Sequence, residues 1–301
     1  MHLAIISLLA VSASSAVAQD SFYEGLSYGD SPQQKIDLWI AETDSPAPLV
    51  IYIHGGGFRS GSRKVRAQVA EPFLKAGISF ATIDYRLTDK GPYPMQMHDA
   101  ARAVQWLRAH ANEYNIDKTR VAAYGGSAGA CISMWLAFHD DMADPLSSDP
   151  VARESTRLLC AGSQNGQSTL DPRTFYEWFE VESLTPHPAL FPLFNIKSYD
   201  DVEKPEVRKL IEDASPITHL DKRDSPVYLA YAGSDTKVTP ETSPGIWVHH
   251  TRLGIKLKEQ MDALGIECHV QYRGGPKIEG YRSLTDFLIK KLIAIRDSGD
   301  K

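Results

Sequence analysis

Residues 121–139 constrain the fold more than any other stretch of this chain. An apolar run at 121–124 leads into Gly125-Gly126-Ser127-Ala128-Gly129, and a helix-like apolar run continues to His139. The centre reads G-x-S-x-G. Strand, sharp turn and helix in that order thrust a serine out at the end of a sheet as a nucleophile. The flanking residues are small because the turn is tight and the two backbones pass close together. Such a serine needs donors for an oxyanion, an acid and a base, and the rest of the chain has to supply them.

The surrounding pattern supplies the sheet. Residues 48–53 (Pro-Leu-Val-Ile-Tyr-Ile) form a continuous β-branched run, as expected of a strand buried on both faces. Further strands are expected at 22–27, 35–41, 79–85, 158–161, 227–232 and 268–272. Helices are expected after 48–53, from Tyr93-Pro94 to Ala111, around Leu253 to Leu264, and from Leu284 to Ile295. This alternation from residue 48 onward predicts an α/β, doubly wound, mostly parallel sheet covered on both faces. Residues 164–226 interrupt it. A stretch that long inside a compact domain is expected to be a functional insertion with short helices of its own. Its Phe175, Tyr176, Trp178, Phe179, Phe191 and Phe194 are enough aromatic surface to roof a pocket.

At 301 residues with 43% apolar side chains, the chain reads as one large domain. A net charge of −6 provides no basic field for nucleic acid. No later segment is apolar and charge-free for long enough to span a membrane. Residues 1–18 differ: an apolar core at 3–11 gives way to small residues ending Ala16-Val17-Ala18, which fits an export signal cut before a 19–301 mature chain. The protein is accordingly expected to be secreted or periplasmic. Cys131, Cys160 and Cys268 make no disulfide framework, a Cys131–Cys160 bridge stays open, and no spacing resembles a metal site.

The oxyanion donors come from His54-Gly55-Gly56-Gly57, which ends the 48–53 strand. Backbone N–H groups suit a developing negative charge because they need not reorganise, and glycines let a substrate approach the amides of Gly55 and Gly56. Ala128, directly after the serine, would be the third donor. A phosphate cradle would want Lys and Ser/Thr in the G-x-x-x-x-G-K pattern, which is absent.

With these residues in place, the chain resembles the α/β-hydrolase superfamily. Within it, the likeness is to hormone-sensitive-lipase-like esterases and the bacterial acetyl and feruloyl esterases related to them. The residues that carry the likeness are His54-Gly55-Gly56-Gly57-Phe58-Arg59-Ser60-Gly61-Ser62, Asp84-Tyr85-Arg86-Leu87, Tyr93-Pro94 with Ala103 to Leu107, Gly125 to Gly129, and Ser215-Pro216-Ile217-Thr218. The resemblance implies an eight-stranded sheet with an inserted cap, no cofactor, and carboxylic-ester hydrolysis through Ser, His and an acid. It suggests small-molecule or polysaccharide-linked esters, acetylated or feruloylated, as substrates. A peptidase on the same fold usually carries a large extra domain, for which there is no room here.

The acid should follow the strand after the insertion, where Asp235 matches the pattern; a loop-capping aspartate is the plainer reading. Asp213, Asp221 and Asp224 precede that strand and belong at its other end. The base departs from the family. Its usual place is the loop after the last strand, and residues 273–280 hold no histidine. His269 falls too early, within the strand. Three readings follow. His249 or His250 ends a lengthened connection on the same rim as Ser127; Lys277 acts in a Ser–Lys arrangement; or the protein is a degenerate hydrolase that binds a ligand without turning it over. His54 is expected to order the glycine loop, and His98, His110, His139, His187 and His219 to serve at surfaces or caps.

Overall fold

The computed structural model describes residues 21–294, so the expected export signal and Ile295 lie outside the described residues. Eight strands form one sheet: β1 (Phe22–Ser27), β2 (Lys35–Trp39), β3 (Ala47–Ile53), β4 (Ser79–Ile83), β5 (Ile116–Gly126), β6 (Cys160–Gln164), β7 (Val227–Ala230) and β8 (Cys268–Gln271). Their spatial order is β1-β2-β4-β3-β5-β6-β7-β8. The pairs β1–β2 and β2–β4 are antiparallel, and every later pair is parallel.

Helices cover both faces, as the unbroken apolar strands demand. On one side lie α1 (Ala67–Lys75) and α9 (Leu284–Ile293); on the other, α2 (Met95–Ala109), α3 (Ala128–Phe138) and α8 (Arg252–Ala263). The two-residue period of a strand sorts the side chains between these layers. In β3, Leu49, Ile51 and Ile53 join the α2–α3–α8 core, while Val50 packs with α1 and α9. In β5, Val121 and Ala123 join the α2–α3–α8 core, and Ala122 and Tyr124 face α1 and α9.

Two strands differ from expectation. β5 begins at Ile116, where a turn into the strand was expected, because Ala47 of β3 already pairs there. β6 runs two residues later than its apolar signal, over Cys-Ala-Gly-Ser-Gln. Its small residues reflect crowding: a Cβ on Gly162 would lie 2.9 Å from the Tyr124 Cβ.

Between β6 and β7 the insertion folds into α4 (Pro172–Phe179), α5 (Leu190–Leu193), α6 (Pro205–Ala214) and two 3-10 turns, Tyr199–Glu203 and Pro216–His219. A last short helix, α7 (Pro244–Trp247), stands between β7 and α8. Phe175, Trp178 and Phe179 pack with Trp247, Val248 and Leu253 as a separate apolar cluster. The insertion is thereby packed onto the segment that carries His249 and His250. Cys131, Cys160 and Cys268 are buried free thiols, so the bridge left open by the sequence is not formed.

Candidate active site

Ser127 sits between β5 and α3 with φ 52° and ψ −118°. A non-glycine residue holds such a conformation only where its surroundings over-determine it. Here they do. A Cβ on Gly129 would come within 2.0 Å of the Ile53 carbonyl oxygen, and one on Gly125 within 2.4 Å of the Gly129 carbonyl carbon. The glycines of the motif are thus the contact between β3, β5 and α3. All eleven residues of α3 are buried, which fits its apolar surface all round and fixes the helix behind the serine.

The glycine loop is held from the other side. His54 Nδ1–H donates to the Gly55 carbonyl at 2.8 Å, and its ring stacks on Tyr85 at 4.4 Å. The Tyr85 hydroxyl donates to the His54 carbonyl at 3.0 Å. Burial lowers the His54 pKa, so the ring stays neutral and structural. Asp84 accepts from Arg63, whose Nε donates to Asp37 at 2.7 Å, while Arg86 clamps Asp99 at 2.6 and 2.8 Å. The Asp84-Tyr85-Arg86 run is the buttress of this loop. Among the described residues, the N–H groups of Gly56, Gly57 and Ala128 donate to no protein acceptor. Gly56, Gly57 and Ala128 line the same cavity as Ser127. Gly55 lies beneath, where its Cβ would meet the Gly126 carbonyl oxygen at 2.6 Å.

The two candidate histidines part company. His249 Nε2 lies 2.8 Å from Ser127 Oγ, and its Nδ1 lies 2.8 Å from the Gly245 carbonyl. A carbonyl only accepts, so Nδ1 carries the proton and Nε2 presents its lone pair to the serine hydroxyl. His250 faces the other way. Its Nε2–H donates to the Thr236 carbonyl at 2.8 Å, and its Nδ1 accepts from the Arg252 N–H at 3.1 Å. Both nitrogens are occupied, the ring is buried, and burial lowers its pKa despite Asp235 nearby. His250 therefore has no lone pair to offer Ser127, which corrects its candidacy as base.

Asp235 also stands elsewhere than expected. Its two oxygens take Arg252 Nε at 2.9 Å and a terminal Arg252 nitrogen at 3.1 Å, and its nearest histidine nitrogen is His250 Nδ1 at 4.0 Å. The structure does not bring Asp235 to His249. Arg252, the second residue past the histidine pair, has captured the carboxylate instead. Lys277 lies in a separate depression with Tyr272 and Glu279, not in the cavity of Ser127.

That cavity has a volume of about 300 Å³ and runs from Ser127 and His249 to Leu170, Leu190 and Trp247. Of the six insertion aromatics, Phe175 lines it. Phe194 belongs to the main core with Phe191 packed against it, and Tyr176 donates to the Tyr199 hydroxyl at 3.0 Å. His187, expected at a surface or cap, and Arg59, which the sequence offered only as part of the glycine-loop motif, also face the cavity. The His187 pKa is lowered by burial, then by the charges of His249 and Arg59. Neither has a sequence signal beyond the position of Arg59 just after the glycine loop.

The geometry defines the fold class: the sheet order, the elbow at Ser127 and the glycine loop are those of the α/β-hydrolase fold. Within that class the chain resembles the hormone-sensitive-lipase-like and bacterial acetyl/feruloyl esterases, and the BD-FAE family model matches residues 36–160. It is similar to the probable carboxylic ester hydrolase LipM of Mycobacterium tuberculosis, 25% identical over 235 residues, covering 76% of this chain and 52% of that protein. Esterase LipC of the same organism is 28% identical over 236 residues, covering 75% and 54%. The chain thus spans about half the length of these curated relatives. Among solved structures, a truncated carbohydrate esterase from gut microbiota superposes with a TM-score of 0.69 at 17% identity, covering 91% of this chain and 98% of that one.

Proposed function

We propose that the protein is an exported serine carboxylesterase whose acyl-enzyme forms on Ser127. The observation that carries this reading is the 2.8 Å contact between Ser127 Oγ and His249 Nε2. Ser127 Oγ attacks the ester carbonyl carbon while His249 Nε2 takes its proton. The oxyanion is held by the amides of Gly56, Gly57 and Ala128, with Gly57 in the place that the sequence pattern gave to Gly55. The imidazolium protonates the leaving alcohol, and the neutral ring then activates a water that releases the acid.

The Gly245 carbonyl does part of what a triad carboxylate does. It fixes the tautomer and orientation of His249. It brings no full charge to stabilise the imidazolium. Asp235 acts at one remove, through Arg252 at the start of α8. Relatives that are carboxylic ester hydrolases, and a carbohydrate esterase of similar fold, support carboxylic esters on a carbohydrate as the substrate class, and the sequence resemblance adds acetyl or feruloyl as the acyl group. The apolar N-terminal run supports export. Among the described residues no carboxylate pairs with His249, which favours a second reading, a binding protein that retains its pocket without turnover.

One experiment separates the two. The purified protein is expected to hydrolyse p-nitrophenyl acetate and to be labelled by a fluorophosphonate at Ser127, with Ser127→Ala losing both. If the wild type is inert in both assays and still binds an ester ligand, the binding reading stands in place of catalysis.

A further inference from the structure

Some way from the cavity, at the C-terminal end of α3, three side chains meet that the sequence scatters. His139 follows the last residue of α3, Asp213 lies near the end of α6, and His219 ends the turn Pro216–His219. One ligand atom from each lies within 4.8 Å of the other two, and the histidine rings are 4.7 Å apart. No sequence spacing announces this cluster, because its members come from the core helix and from the insertion.

The partners of each group leave donor atoms for a cation. His139 Nδ1–H donates to the Asp140 carbonyl at 2.8 Å, so its Nε2 keeps a lone pair. His219 Nε2 lies 2.6 Å from the Asp213 carbonyl and 3.9 Å from Asp213 Oδ1. Binding there trades one hydrogen bond for a metal bond, with the ring proton moving to Nδ1. Asp213 Oδ2 accepts from the Tyr93 hydroxyl at 2.5 Å, which aims the carboxylate as outer hydrogen bonds aim metal ligands elsewhere. Trp135 of α3 forms the wall. Its ring stands 4.1 Å from His139 and 5.9 Å from His219, and its Nε1–H donates to the Asp213 carbonyl at 2.9 Å.

We propose that His139, Asp213 and His219 bind a divalent cation of the zinc class and so pin the insertion to the helix that begins at the nucleophile. Two imidazoles in three ligands select Zn²⁺, Co²⁺, Ni²⁺ or Cu²⁺ over Ca²⁺ and Mg²⁺. With metal–ligand bonds of ~2.0–2.2 Å, tetrahedral donors lie about 3.4 Å apart, so donors up to 4.8 Å apart must close by as much as about 1.4 Å. Asp213 is half exposed at 53%, which leaves the cluster reachable from solvent and a fourth position for water.

The test uses the full protein stripped with a chelator and titrated with Zn²⁺ by calorimetry. One saturable equivalent is expected. His139→Ala and His219→Ala should each weaken it at least ~10-fold, with Tyr93→Phe also in the direction of weaker binding. His110→Ala, outside the cluster, should leave it unchanged. Circular dichroism checks that each variant is folded, and His219→Gln serves where alanine is not tolerated. Titration with Cu²⁺ should quench tryptophan emission, and Trp135→Phe should remove most of that quenching. Absence of saturable Zn²⁺ binding, or equal affinity in folded His139→Ala and wild type, overturns the proposal. Neither readout depends on ester hydrolysis.

Discussion

Two segments meet at the candidate active site, and they are held by different physics. The β5–α3 elbow is fixed by backbone-to-backbone contact: Gly125 and Gly129 press on Ile53 and on each other with no space for a Cβ. The segment from β7 to α8 is seated by Trp247 and Val248 in an apolar cluster, but its functional side chains are aimed by individual polar contacts. His249 hangs on the Gly245 carbonyl, His250 on Thr236, and Asp235 on Arg252. A close-packed elbow tolerates almost no change in sequence. A polar-tethered segment can lose or move a member and still present an imidazole to the same serine.

The sharpest way to break the comparison is Gly129→Ala. One methyl would demand a 2.0 Å approach to the Ile53 carbonyl oxygen, with backbone on both sides and nothing flexible to yield. We expect a loss of at least ~4 kcal/mol, the range seen only for overpacking and comparable insults, or failure to accumulate folded protein. A well-folded variant with a wild-type melting temperature would show that the elbow is not close-packed. On the other segment, His249→Ala should leave folding intact and lower kcat by at least ~10²-fold. His250→Gln should do the reverse, losing about 1–3 kcal/mol as the Thr236 carbonyl and the Arg252 N–H lose their partners, with kcat little changed. Thermal melts and steady-state kinetics on both variants decide it, and swapped phenotypes would reverse the assignment.

The same contrast explains what could be read from the sequence. The elbow, the glycine loop and the buried strands β3 and β4 were legible because backbone packing leaves few residue choices, and those choices appear as motifs and apolar runs. β6 was legible only in part, since Gly162 and its small neighbours are selected by crowding rather than by strand preference. The polar segment was legible only as a set of candidates. Whether His249 or His250 faces Ser127 turns on the helical turn of α7, which rotates one ring toward the serine and its neighbour into Thr236. The capture of Asp235 by Arg252 could not be read either, because a family pattern reports the carboxylate and not its competitor. Phe175 lines the cavity, but its aromatic companions pack the insertion's own cluster (Tyr176, Trp178, Phe179) or the main core (Phe191, Phe194).

Acid should separate the regions by a smaller margin. Burial lowers the His250 pKa, and His54, His98 and His187 are shifted the same way with burial as the first cause. The unfolded chain, with histidines near ~6.5, then binds more protons than the folded one just below that pH. Their contribution to stability is complete above ~6.5 and is lost as pH falls through the lower folded-state values. The melting temperature should therefore drop as the pH falls below about 6.5, before the carboxylates with lowered pKa values are protonated. His250→Gln should flatten part of that slope. A slope identical to wild type would mean that His250 charges without penalty in the folded state.

The smallest expected effect is the most telling. A carboxylate on the catalytic imidazole is worth ~10⁴ in kcat when replaced by its amide, largely because the ring then adopts the wrong tautomer. Here the tautomer of His249 is set by Gly245, and the carboxylate of Asp235 is occupied by Arg252. Asp235→Asn should accordingly lower kcat by less than ~10-fold, with a stability cost of about 0.2–1 kcal/mol for a half-buried ion pair. A loss near 10⁴ would say that Asp235 leaves Arg252 and reaches Nδ1 once substrate is bound. Arg252→Met would then raise activity, because the competitor for the carboxylate is gone. If instead Asp235→Asn is mild and Arg252→Met is harmful, the pair serves to hold α8, and a backbone carbonyl suffices to aim the base.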